Sequence, residues 1–170
     1  VYSLSSTPRL FIQKCVSGGR CMTRDNVKWH VIGKQAITPD NKNNICGFAE
    51  SIEYNEECII SDFDGVSLYP SAMVRMPGFL KGKPKVLKDD QLNMDFLNEQ
   101  SGYFIEINNV KLSEFLHFPL QSEKDKNGIR NYKNEFENSL FIDKIALEDL
   151  IKFQGATFNI VRGYYFNEGH

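Results

Sequence analysis

The sequence predicts an α+β fold. Strand-like segments cluster in runs, as they do when they pair antiparallel, and helical segments are few. Tyr103, Ile105 and Ile107 alternate with Phe104, Glu106 and Asn108, the period of a half-buried strand. Leu147, Leu150 and Ile151 form a helical stripe that Gly155 ends as a C-cap. A third segment, Cys58 to Ile60, is apolar with β-branched residues suited to a buried strand, and it delivers Asp62 and Asp64 where it stops.

Taken in order, Arg9 to Cys15 contains Leu10, Phe11, Ile12 and Cys15, a spacing that fits either a strand or a helix. The double glycine in Val16-Ser17-Gly18-Gly19-Arg20 reads as a turn. Trp29 to Ile32 is a further strand, and Thr38 to Asn44 is a polar loop with strong breakers, an expected surface insertion. Asn55-Glu56-Glu57 makes a charged turn into the strand at Cys58.

Asp62 and Asp64 are two apart, so on a strand they share a face about 7 Å apart, which suits a cation better than a core. Gly65 frees the backbone to turn. Leu68, Ala72 and Met76 then recur four apart as one face of a short helix, with Pro70 tolerable only in its first turn. An acid ahead of a helix start is a place for metal-bound phosphate, because the first N–H groups are unpaired. Plainer roles remain open: Asp64 as a helix cap, Tyr69 as a core aromatic, Asp62 as an N-cap or surface acid.

Met76-Pro77-Gly78 ends that helix. Lys81, Lys83, Lys85 and Lys88 follow, held extended around Pro84; they suit either a phosphate backbone, without sequence reading, or a solvated basic turn. Phe115 to Leu120 is mixed and apolar, and Gln121 to Asn134 is polar, an exposed loop or hairpin tip around Lys124-Asp125-Lys126-Asn127-Gly128. Ser139 to Ile142 reads as a strand, and Ile160 to Phe166 as a last strand interrupted by Gly163.

With 170 residues the chain can bury roughly 70% of its unfolded surface, room for one or two small domains. A net charge of −2 gives no global field for nucleic acid, so any such contact must be local. Cys15, Cys21, Cys46 and Cys58 have no zinc spacing with His30, His117 and His170, and read as reduced, mostly buried thiols of an intracellular compartment. No apolar run approaches the about 18 residues of a membrane span, no signal-peptide pattern opens the chain, and a start at Val1 suggests a piece of a longer protein.

Two family resemblances centre on the acids. Asp62-Phe63-Asp64-Gly65-Val66 resembles the first motif of haloacid-dehalogenase-type phosphatases, which would make Asp62 a nucleophile and Asp64 the acid/base. That family also needs a downstream lysine and acid pair, and Lys88-Asp89-Asp90 stands very near the motif. The continuation Asp64-Gly65-Val66-Ser67-Leu68-Tyr69-Pro70-Ser71 resembles motif A of family B DNA polymerases, D-x-x-S-L-Y-P-S, at all six specified positions. That resemblance implies that Asp64 binds both catalytic magnesium ions and that Gly65 offers its carbonyl. It places Ser67 and Leu68 along the triphosphate and makes Tyr69 the gate against a 2′-hydroxyl.

The turn at Gly18, Gly19 and Arg20 is similar in part to the family's Y-x-G-G turn that handles single-stranded template, with Val16 in the tyrosine position. The order of segments after motif A, above all Phe141 to Phe166, is similar to the insertion of the protein-primed branch, which contacts the priming terminal protein and the template-primer duplex. The resemblances imply a palm fragment over residues 1–75, an antiparallel sheet with a helix, and a small α+β insertion over 76–170. They imply a two-magnesium nucleotidyltransferase acting on a DNA template-primer and deoxynucleoside triphosphates, serving a viral, plasmid or organellar replicon, with no membrane partner.

In that mechanism the primer 3′-hydroxyl, or a hydroxyl of the priming protein, attacks the α-phosphorus. The second acid pair and the fingers lysine of the family lie beyond His170, and no exonuclease D-x-E precedes the motif, so the chain alone is expected to be inactive. Three readings therefore stand: a polymerase fragment that needs the remainder of its chain, a phosphatase, and a non-catalytic module that binds DNA or a terminal protein.

Overall fold

The alternation at 103–108 becomes the spine of an antiparallel sheet. In a computed structural model, which describes residues 4–22, 63–76 and 78–169, strand β3 spans Gly102–Lys111 and buries Tyr103, Ile105 and Ile107 on one face. The chain forms two compact units, Val1–Asn26 with Met76–His170, and Val27–Arg75. The expected strands at Trp29 to Ile32 and Cys58 to Ile60, the loop at Thr38 to Asn44, and Asp62 lie outside the described residues. In chain order the first helix is α1 (Ser6–Cys15); α2 (Leu68–Arg75), in the smaller unit, is taken up with the site.

The larger unit contains a four-stranded sheet in the order β2 (Lys85–Val86), β7 (Thr157–Phe166), β3, β6 (Leu140–Asp143), with every neighbour antiparallel. Two short ladders flank it, β1 (Leu80–Lys81) with β8 (Glu168–Gly169), and β4 (Ser122–Lys124) with β5 (Arg130–Tyr132). The fold is thus α+β with antiparallel sheets, as the sequence predicts.

One sheet face meets α4 (Lys144–Gln154), whose Leu147 and Leu150 pack with Ile105, Ile107, Leu140 and Ile142. The helix is framed by local chemistry. Asp143 Oδ1 accepts the Ala146 N–H at 3.2 Å, and Gly155 takes the left-handed conformation expected of its C-cap, φ 57°. Beside it lies α3 (Met94–Asn98), which follows a 3₁₀ turn at Asp89–Gln91 and buries Leu97. Sequence periodicity missed α3 because a five-residue helix is too short to show one; its signal is Asn93, whose Oδ1 accepts the Phe96 N–H at 2.8 Å.

The other face carries α1, which settles the strand-or-helix ambiguity of residues 9–15. Pro8 sits in its first turn, where the missing N–H costs nothing, and Lys14 lies in its last turn. Phe11 drops edge-on between the rings of Phe141 and Tyr164, each 5.2 Å away, while Lys14 Nζ stands 4.8 Å above Phe141. Glu106 and Arg162, directly paired across β3 and β7, form a 2.6 Å ion pair beside Phe11. The sequence groups residues 1–26 with those up to 75; this helix packs instead on the sheet of 76–169. Of the thiols, Cys15 is half-buried and Cys21 is exposed on the strand-free segment after α1, so the expectation of mostly buried thiols is corrected at Cys21.

The Tyr103 hydroxyl is buried with no hydrogen-bond partner among the described residues. Burial first, then the charges of Glu148 and Asp143, raise its pKa from 10.0 to about 12. The unfolded chain therefore releases this proton before the folded one, and stability falls as pH rises from about 10 to about 12. The half-buried thiol of Cys15 is likewise raised to about 12, by burial and then by Asp143, and adds a loss from about pH 9. Tyr103→Phe removes an unsatisfied group, so urea unfolding should show stability unchanged or higher by about 1 kcal/mol at pH 7, and a shallower decline between pH 10 and 11.5. Equal alkaline slopes in the two proteins would contradict this account.

The polar stretch Gln121 to Asn134 resolves into the β4–β5 hairpin. Asp125 Oδ1 accepts the N–H groups of Asn127 and Ile129, and Gly128, φ 80°, completes the tip. Two buried side chains fasten the hairpin and the loop before it. Gln154, fully buried at the end of α4, accepts the Leu120 N–H and donates to the Glu114 carbonyl and to Asn134 Oδ1. Glu123 accepts the N–H groups of Glu137 and Asn138 and, at 3.1 Å, the Lys133 ammonium.

Burial works to raise the Glu123 pKa, but the Asn138 amide, Lys133 and the Glu137 amide outweigh it and hold the carboxyl below its ordinary 4.5. A depressed carboxylate stabilises the fold above its unfolded pKa and loses that contribution as pH falls through the folded one. Glu123→Gln should therefore cost roughly 2 kcal/mol at pH 7 and less at pH 3, measured by denaturant midpoints. A cost that does not shrink in acid would show that the ionised form has no special role.

Candidate functional site

The motif segment runs from irregular chain at Phe63 to Gly65 through a turn at Val66 and Ser67 into α2 (Leu68–Arg75). Pro70 is the third helical residue, within the first turn as expected. Ser71 returns its N–H to the Ser67 carbonyl and its hydroxyl to the Leu68 carbonyl, both at 2.9 Å. The turn is not made as the sequence suggests. Ser67, rather than Gly65, adopts the left-handed conformation, φ 49°, while a Cβ on Gly65 would meet Leu68 Cδ1 at 3.3 Å. For a residue with a Cβ, that conformation costs roughly 1–2 kcal/mol, strain held in the motif itself.

Asp64 is exposed and makes no hydrogen bond or ion pair among the described residues, so it does not cap α2. Tyr69 is 72% exposed and is not a core aromatic. Phe63, Val66, Leu68, Met73 and Val74 are exposed as well, and no residue of α2 is buried. The face expected from Leu68, Ala72 and Met76 is therefore helical as far as Arg75, with Met76 just beyond the end, but it is not a buried face. Among the described residues no three His, Cys, Asp or Glu side chains converge on a metal position.

The remaining candidates belong to the larger unit. Gly18 and Gly19 lie in irregular chain with open space where a Cβ would stand, so neither is a glycine for reasons of crowding. Arg20 donates to the Pro119 carbonyl at 3.2 Å, and Arg130 donates to the Val16 carbonyl at 3.3 Å; together they strap this segment to the hairpin region. Lys81, Lys83 and Lys85 are all exposed, on β1, in the turn with Gly82 at φ 81°, and on β2. Lys81 pairs across the ladder with Glu168, which offsets part of the positive field there.

No protein-family model, curated protein or solved structure matches the chain. The site is therefore read from its own chemistry. Among the described residues Asp64 offers a carboxylate with neither oxygen engaged, Gly65 a backbone carbonyl beside it, and the start of α2 the N–H groups of a first helical turn. This donor set fits a hard cation such as magnesium, which prefers carboxylate and carbonyl oxygens and keeps several waters, though it is only part of a full ligand shell. Sequence reasoning missed the strain at Ser67, for which residue type carries no signal, and the clamping role of Arg20. No helix among the described residues is long and apolar enough to cross a membrane.

Proposed function

We propose that the chain is the motif A-bearing part of a family B DNA polymerase of the protein-primed type, adding deoxynucleotides to a template-primer by two-metal phosphoryl transfer within the complete enzyme. The observation that carries this reading is the six-position match from Asp64 to Ser71, together with the free presentation of Asp64 and Tyr69 at a helix start. Asp64 and the Gly65 carbonyl would hold magnesium, which when bound supplies charge neutralisation at the reacting phosphate. The N–H groups at the start of α2 would orient triphosphate oxygens alongside Ser67 and Leu68, and the Tyr69 ring would lie under the incoming sugar.

Positioning and charge stabilisation would supply most of the acceleration, as in other phosphoryl transfers. The second acid pair and the triphosphate-binding lysine would come from the remainder of the enzyme, so this segment alone should extend nothing. The strands and helices of 76–169 would enclose duplex and dock the priming protein, with Lys81, Lys83 and Lys85 reaching phosphates and the Gly18-Gly19-Arg20 segment near template.

The test is primer extension with magnesium by the longest native reading frame that contains this segment. Tyr69→Val should retain extension with deoxynucleotides while relaxing discrimination against ribonucleotides at least tenfold. Extension with unchanged discrimination would remove Tyr69 from the sugar gate, and no extension by the intact frame would favour a binding module instead.

A further inference from the structure

Asn127 is the only asparagine of the sequence that a glycine follows. It stands at the tip of the β4–β5 hairpin, where every residue from Lys124 to Ile129 is exposed. Its side chain makes no hydrogen bond among the described residues, unlike those of Asn93 and Asn134, whose Oδ1 atoms each accept a backbone N–H. Its backbone is held. Asp125 Oδ1 accepts the N–H groups of Asn127 and Ile129 at 2.8 and 2.9 Å, and the Asp125 carbonyl accepts that of Gly128 at 3.0 Å. Gly128 has open space where a Cβ would stand, so no side chain of its own shields its nitrogen from the Asn127 amide.

We propose that Asn127 is a site of self-modification, converted through a cyclic imide to aspartate and isoaspartate at a rate that the Asp125 turn restrains. The Gly128 nitrogen gives its proton to hydroxide and forms a bond to Asn127 Cγ, and the side-chain nitrogen takes a proton from water and leaves as ammonia. One water then opens the five-membered ring. Opening at the Cγ carbonyl gives aspartate; opening at the main-chain carbonyl leaves the chain running through Cγ, which is isoaspartate. Nothing is oxidised or reduced. The native turn opposes the first step, because the Gly128 N–H is engaged with the Asp125 carbonyl. The reaction therefore proceeds from molecules whose tip has opened, a small excursion for exposed hydrogen bonds at the end of a three-residue ladder. Isoaspartate adds a methylene to the main chain between the two N–H groups that Asp125 holds, and either product adds a negative charge beside Asp125. The site stands whether or not the chain belongs to a polymerase.

The test is ageing of the full chain in mildly alkaline buffer at physiological temperature, followed by peptide mapping with mass spectrometry. Asn127 should lose ammonia at least tenfold faster than Asn138, which is also exposed but is followed by Ser139, and isoaspartate should accumulate together with aspartate. The rate should rise with hydroxide concentration. Gly128→Ala should slow the loss at least tenfold, even though a Cβ at φ 80° strains the turn and favours its opening. Asp125→Ala removes two exposed hydrogen bonds and should speed the loss at least threefold with an unchanged circular dichroism spectrum. Aspartate without isoaspartate would mean direct hydrolysis of the side-chain amide. Equal loss at Asn127 and Asn138, or a rate indifferent to Gly128→Ala, would remove the imide route, and an unchanged rate in Asp125→Ala would remove the restraint by the turn; each of these results overturns the proposal.

Discussion

Asp64→Ala, placed in the longest reading frame that contains this segment, should lower magnesium-dependent primer extension by roughly a thousandfold or more, the scale on which removal of a preorganised charge or metal ligand acts. The protein should remain folded. The Asp64 carboxylate is exposed and bonds to nothing among the described residues, so its loss strands no partner and empties no core. Circular dichroism and thermal unfolding of the variant should overlay the wild type while extension is lost. Asp64→Asn should fail nearly as badly, because the neutral amide keeps the shape but not the charge. Full extension by either variant would rule out Asp64 as the metal ligand, and with it the role that motif A assigns.

Gly163→Ala should have the largest effect on stability, about 3 kcal/mol, at the upper end of overpacking costs. Gly163 lies in the middle of β7, opposite Ile105, next to the register shift of the β3–β7 ladder. A Cβ there would overlap the Phe104 carbonyl oxygen and stand 2.8 Å from Ile105 Cγ2 and 2.9 Å from Ile105 Cα. Two of those atoms are backbone of the central strand and cannot swing aside, so the β3–β7 ladder itself must open. Denaturant unfolding should show a lower midpoint with little change in slope. A shift under 0.5 kcal/mol would mean that the ladder relaxes around the methyl group.

The elements that were legible in the sequence share a cause. The alternation at Tyr103, Ile105 and Ile107 and the stripe at Leu147 and Leu150 exist because one face of each element is buried, so burial writes its period into residue type. Asp143 and Gly155 were readable ends of α4 for a local reason: a side-chain cap and a left-handed residue act within one turn. The hairpin tip at Asp125 to Gly128 is equally local. Helix α1 was ambiguous because Phe11 is its only buried residue, and a single buried side chain has no period. Of the candidate site, the order of residues from Asp64 to Ser71 was legible; the turn was assigned to the wrong residue, since a left-handed serine leaves no mark in composition.

The sequence by itself determined the α+β class, the positions of the long strands and of α4, and the motif that places one acid ahead of a helix, because all of these arise from interactions within a few residues or from burial of a repeating face. Tertiary structure alone decided that α1 docks on the outer sheet face, that Gln154 and Glu123 hold the hairpin and its loop, and that Gly163 has no room for a methyl group. Each of these depends on neighbours brought together from distant parts of the chain, 153 residues apart for Phe11 and Tyr164, or 40 for Gln154 and Glu114. Spacing along the sequence carries no record of such meetings, since the free energy that selects them is summed over a whole packed interface rather than written at either residue.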